Sequence, residues 1–162
     1  MLLLSSLEKG IEILRCSKQG NKEIKVSKIK DNMELISTHF CKAANVGYHG
    51  NLFGGTMLAW LDEAGASFAC QVCDTPRMVT KKISEVIFNK PVRPGQIIKI
   101  YGEVVEVRNR SIVIRLEARR HSVYNGSQRT VLTTDMTFVR IDGDGEAIPI
   151  SDKVKSKYTK VS

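Results

Sequence analysis

The chain has 162 residues, a formal net charge of +8 and 42% hydrophobic residues. That length suits one domain with a core large enough to fold without disulfides or metals, and excludes two. With 26% charged residues and no low-complexity tract, wholesale disorder is excluded as well.

Residues 1–30 carry Lys9, Arg15, Lys18, Lys22, Lys25, Lys28 and Lys30, so a large share of the positive excess lies in this stretch. Within it, Leu3, Leu7, Ile11 and Leu14 recur at helical spacing and predict an amphipathic helix over 2–17. Residues 18–31, broken at Gly20-Asn21, read as a tether or irregular strand. The stretch is either a solvated leader or a docking arm. Met-Leu-Leu-Leu lacks the basic start and cleavage site of a signal peptide, which favours a cytoplasmic protein. No aromatic–glycine motif or zinc-finger spacing accompanies the basic charge, so no nucleic-acid partner is expected.

Met33 to Phe40 reads as the first strand. A loop with Asn45, Gly47, Gly50, Gly54 and Gly55 leads into a helix that runs to about Cys73, where Asp74-Thr75-Pro76 stops it. Beyond Pro76 the period changes to two. Met78–Phe88, Ile97–Val107, Ser111–Val123 and Thr130–Ile141 are four strands, expected to form an antiparallel meander. Ile112, Ile114, Leu116 and Ala118 alternate with Val113, Arg115, Glu117 and Arg119, as a sheet covered on one face requires. The expected fold class is α+β: a five-stranded antiparallel sheet packed on one long helix. The division is a basic leader over 1–30, the domain over 31–150 and a basic tail over 151–162.

The helix is apolar almost all round, which predicts burial on every side, by the sheet and by a second subunit. A membrane span is excluded because Asp62 and Glu63 sit near its middle. Helical spacing separates these two carboxylates. Glu63 shares a stripe with Thr56, Ser67 and Gln71 and is expected to face water. Asp62 shares its stripe with Gly55, Leu58, Ala66 and Ala69. An acid on such a stripe suits a narrow reactive cleft; the structural alternative is a buried acid satisfied by a neighbouring strand. Cys70 and Cys73 form a C-x-x-C pair without a second ligand pair, so no metal is expected and both read as buried reduced thiols. At the helix start, the N–H groups of Gly54 and Gly55 have no intrahelical partners and suit a developing oxyanion. No phosphate-binding P-loop and no serine-hydrolase elbow is present.

The segment His49-Gly50-Asn51-Leu52-Phe53-Gly54-Gly55-Thr56-Met57-Leu58-Ala59-Trp60-Leu61-Asp62-Glu63-Ala64-Gly65 resembles the signature of hot-dog-fold acyl-CoA thioesterases, in their bacterial and cytosolic hydrolase branch. The stretch from Val79-Thr80 to Pro94-Gly95 is similar to the strand and turn that follow it there. The resemblance covers about residues 33–150. It implies a single hot-dog domain whose curved sheet wraps the helix, in a homodimer often assembled as a trimer of dimers. It implies hydrolysis of acyl-CoA to fatty acid and coenzyme A, at a site shared between Asn51 of one chain and Asp62 of the other. Asp62 would activate water or attack the thioester, Asn51 would orient either, Gly54 and Gly55 would hold the oxyanion, and Thr80 would position. Asp62 lies seven residues beyond Gly55, roughly 10 Å along the axis, which fits a shared site. Arg108-Asn109-Arg110-Ser111 is similar to the family's turn beside the nucleotide of coenzyme A. Lys153, Lys155, Lys157 and Lys160 are further phosphate candidates. No cofactor is implied, because coenzyme A arrives as part of the substrate. His49 is a weaker candidate base, and His39 and His121 have no supporting context. The alternative function is a non-catalytic acyl-CoA sensor on the same fold.

Overall fold

The computed structural model describes residues 33–158; the expected leader helix, its tether and Lys160 lie outside them. The described chain runs β1 (Glu34–Phe40), a short 3-10 turn (Ala43–Asn45), α1 (Gly54–Val72), β2 (Met78–Ile83), β3 (Ile97–Val107), β4 (Ser111–His121), β5 (Gln128–Arg140) and α2 (Asp152–Tyr158). One antiparallel sheet forms in the order β1-β3-β4-β5-β2.

That order corrects the expected meander. β3, β4 and β5 are joined as successive hairpins, but β2 crosses to the far edge and pairs with β5. β2 also ends at Ile83, short of Phe88. Residues 84–92 instead run irregularly beside β5, tied by Ser84 N–H to Asp135 O (2.9 Å) and Asn89 N–H to Val131 O (2.8 Å). Register shifts interrupt all four strand pairs, at Leu35/Ser37, Thr80/Lys82, Val104/Glu106 and Ala118/Arg119. An extra residue on one strand bends it and increases its twist, so the sheet curls around α1.

The core lies in the concavity. Ile98, Ile100, Ile112, Ile114, Leu116, Ala118, Leu132, Met136 and Phe138 are fully buried there, against Met57, Leu61, Ala64, Phe68 and Ala69 of α1. At the register shift after Ala118 the extra residue is Val131 of β5, so β4 itself is continuous. The expected alternation along β4 holds through Arg119, which lies on the convex face above the Tyr101 ring at 4.3 Å. On that face Arg115 grips Asp135 with two hydrogen bonds, 2.9 and 3.1 Å long.

Within one chain, α1 is buried on one side only. Ala59, Glu63, Ser67 and Gln71 are exposed, on the side that the sequence reading assigns to a second subunit. Phe53 and Gly55 at its entry are exposed too. The helix ends at Cys73, whose N–H reaches Ala69 O at 2.9 Å, followed by Asp74 in the left-handed region (φ 51°). The segment after β5 is partly ordered by the core: Ile150 and Val154 are buried, and Val154 anchors α2.

Candidate active site

Asp62 projects from the middle of α1 toward β2. There the Thr80 hydroxyl donates to Asp62 Oδ1 at 2.6 Å. Thr80 stands beside the register shift between Thr80 and Lys82, where a bulge re-aims side chains. Within one chain Asp62 is half-buried. Its second carboxylate oxygen has no donor among the described residues. Glu63 is exposed as expected, and Ser67 on its stripe bonds back to Ala64 O at 2.9 Å. A single step along the helix, about 100° of rotation, thus separates a solvated carboxylate from one held by a strand.

The entry loop presents Asn51. Gly50 adopts φ 72°, a left-handed conformation that suits glycine, and Gly47 N–H closes on Asn51 O at 2.8 Å. The Asn51 side chain makes one long contact, from Nδ2 to His49 O at 3.4 Å, and so keeps its amide oxygen for another partner. His49 is exposed and packs edge-on against Tyr48. Phe53 provides no side-chain cap for α1, whose first loop-to-helix bond is Met57 N–H to Phe53 O at 3.2 Å. The N–H groups of Gly54 and Gly55 therefore stand uncapped at the positive end of the helix. A Cβ at residue 55 would lie 2.5 Å from the Phe53 ring, so glycine lets that ring fold over the entry. Beside it opens an apolar cavity of about 380 Å³, walled by Leu52, Met57, Phe88, Val92 and Val131.

These parts do not meet within one chain. Asp62 follows Gly54 by eight residues, about 12 Å of helix, and no hydrogen bond joins Asn51 to Asp62. Thr80 is the residue the fold brings to Asp62.

The Arg108-Asn109-Arg110-Ser111 turn lies at the Thr80 end of the sheet. Ser111 pairs with Val139, and Val139 with Val79. Two strand spacings, about 10 Å, therefore separate the turn from the strand bearing Thr80. Arg108 N–H closes the turn on Ser111 O at 2.8 Å, and its guanidinium pairs with Glu106 at 2.7 Å. Arg110 is exposed. The sequence suggests a separate basic tail beyond residue 150, whereas α2 brings Lys155 Nζ within 3.4 Å of Asn109 Oδ1, and Asn109 O receives Ile150 N–H at 2.8 Å. The spacing of Ile150 and Val154, one helical turn apart, was the available signal. Lys153 instead pairs with Asp74 at 3.4 Å.

Cys73 is buried and Cys70 half-buried, both as free thiols. Burial, reinforced by Cys70, pushes the Cys73 thiol up to about 11, which keeps it protonated and non-nucleophilic near neutrality. His39 lies flat on Trp60, ring centres 4.5 Å apart, and burial holds it below the usual histidine value despite an opposing pull from Glu63. Among the described residues, no group of three His, Cys, Asp or Glu side chains gathers as a metal site, and no helix is long and apolar enough to cross a membrane.

If Thr80 holds Asp62 in its working orientation, Thr80→Val should lower kcat about tenfold, the worth of one hydrogen bond to a charged group. Thr80→Ser should restore most of it, with KM little changed in either. Steady-state kinetics of the two variants checks this.

A family model described as the thioesterase superfamily matches residues 49–127, from the entry loop through the β4–β5 turn. An uncharacterized acyl-CoA thioester hydrolase of Buchnera aphidicola is 30% identical over 109 residues, covering 64% of this chain and 80% of that protein. The acyl-CoA thioester hydrolase YciA of Salmonella typhimurium is 26% identical over 120 residues, 72% of this chain and 90% of that one. A hexameric hotdog fold thioesterase of Campylobacter jejuni superposes with a TM-score of 0.68 at 32% identity, over 76% of this chain and 95% of the other. The chain belongs to the hot-dog-fold thioesterase superfamily.

Proposed function

We propose that this chain is an acyl-CoA thioester hydrolase, releasing a free fatty acid and coenzyme A, at a site completed between two subunits. The observation that carries the reading is the Asp62–Thr80 pair, a half-open carboxylate fixed by one donor. The hydrolase names of its relatives support the substrate class.

Asp62 acts as general base for water or as nucleophile on the thioester carbonyl. With water, Asp62 accepts the proton as the oxygen adds to the carbonyl carbon. The tetrahedral oxyanion rests against the N–H groups of Gly54 of the partner subunit and Gly55 of the partner subunit, next to Asn51 of the partner subunit. Collapse breaks the C–S bond, and the thiolate takes the proton held by Asp62, leaving as coenzyme A and restoring the carboxylate. The 12 Å or so between helix entry and Asp62 in one chain supports shared construction. The apolar cavity beside Gly54 accommodates the acyl chain, and the Arg108–Ser111 turn with Lys155 meets the coenzyme's phosphates. This chemistry calls on no metal or redox cofactor. The exposed outer side of α1 supports a homodimer, and the hexameric relative supports a trimer of dimers. A cytoplasmic setting and no nucleic-acid partner complete the reading.

Free-thiol release from a panel of acyl-CoAs, short to long, tests it. Turnover of at least one chain length is expected. Tight binding with no thiol released would replace the enzyme by an acyl-CoA sensor.

A further inference from the structure

Two arginines face each other without a counter-ion at the end of the sheet away from Thr80. Arg120 on β4 is directly opposite Arg129 on β5. Directly opposed positions project from the same face, and like charges placed so destabilise the sheet. Neither guanidinium forms an ion pair or a side-chain hydrogen bond among the described residues, although Arg108, Arg115 and Arg119 all have carboxylate partners. The pair borders a cleft of about 440 Å³ at the β4–β5 hairpin. Ser122, Ser127 and Tyr124 line the same cleft, as does His121, whose buried Nδ1 has no partner among the described residues. The hairpin is rigidly made: Ser122 N–H bonds Ser127 O at 2.9 Å, and Gly126 takes φ 67°.

The geometry points to a binding site for a phosphorylated small molecule, its phosphate held between Arg120 and Arg129. A phosphate removes the like-charge penalty and accepts from both planar guanidiniums, which match its oxygens in pairs. The serine hydroxyls and the imidazole supply further hydrogen-bonding groups, and Tyr124, almost wholly exposed, offers a face for a base or ring. Within one chain the site lies at the opposite end of the sheet from Thr80 and from the Arg108–Ser111 turn proposed for the phosphates of coenzyme A. Thr80 is in line with Phe138 and Ile112, and Arg120 is eight residues further along β4, about 25 Å.

Pyrophosphate and ADP, titrated calorimetrically into the full-length protein, test the inference. Wild type should bind both. Arg120→Gln and Arg129→Gln should each weaken binding at least about tenfold, and the double variant should abolish it. Without ligand, Arg129→Gln should melt about 1–3 °C above wild type, because a repulsion is gone. This melt also shows that the variant folds. Arg93→Gln, outside the cleft, should bind as wild type does. Failure of wild type to bind either probe at millimolar concentration, or undiminished binding by the double variant, would overturn the site. A KM for acyl-CoA that rises in the double variant as far as pyrophosphate affinity falls would overturn its separateness. It would make the cleft the substrate's own phosphate seat, while thiol release itself would still stand.

Discussion

Asp62→Asn is expected to lower kcat for thioester hydrolysis at least ~100-fold, equivalent to about 2.7 kcal/mol of transition-state stabilisation. The replacement keeps the shape of the side chain and an oxygen to accept from the Thr80 hydroxyl, now 2.6 Å away. Folding and KM should therefore change little. What disappears is a basic, nucleophilic oxygen, needed when the carbonyl is attacked and not when substrate binds, so the loss falls on kcat. Glu63→Gln is the matched control. Glu63 is the neighbouring acid in the sequence but points to solvent from the other stripe, and its removal should leave kcat within about twofold. A reversed ranking of the two variants would move the chemistry one residue along the helix.

The largest stability effect is expected at Gly65. A Cβ there would lie 2.7 Å from Phe138 Cζ and 2.9 Å from Leu116 Cδ1. Both neighbours are fully buried, so neither has room to swing aside. Glycine weakens an isolated helix by roughly 1 kcal/mol relative to alanine. Here that loss is offset by letting the helix axis settle close to β4 and β5. Gly65→Val should destabilise the fold by about 3 kcal/mol and lower Tm by about 6–12 °C in a calorimetric scan. Adding Phe138→Leu, which clears the closer of the two contacts, should recover part of the loss. Strict additivity of the two substitutions would show that the contact does not set the helix position.

The elements nearest the candidate site were the most legible in the sequence. The glycine-rich entry and the Asp74-Thr75-Pro76 stop bound α1 to within a residue, and helical spacing separates Asp62 from Glu63, because both are local signals. The alternation of Ile112 to Ala118 similarly marked which face of β4 is covered. The partner of β2 was not legible: Met78-Val79-Thr80-Lys81-Lys82-Ile83 fits a pleated edge anywhere, and pairing with β5 spans more than fifty residues. Val86, Ile87 and Phe88 extended the strand pattern on paper. In the fold they pass along β5 and put Phe88 over Gly54, with 3.4 Å between its ring and a Cβ built there. The contact of Thr80 with Asp62 depends on that crossover, so the resemblance could suggest Thr80 while spacing could not. The facing of Arg120 and Arg129 was hidden for a related reason, since it depends on the register imposed by the bulge at Val131 of β5.

The most direct test of the shared site is subunit complementation. Asn51→Ala and Asp62→Asn chains, each inactive alone, are co-expressed, and thiol release is measured on the purified mixture. If one site draws Asn51 and Asp62 from different chains, half of the randomly formed dimers are hybrids with one intact site each, and activity should return to about a quarter of wild type. Activity no higher than that of the single-variant proteins, with hybrid dimers present, would contradict the account and place both residues' work within one chain.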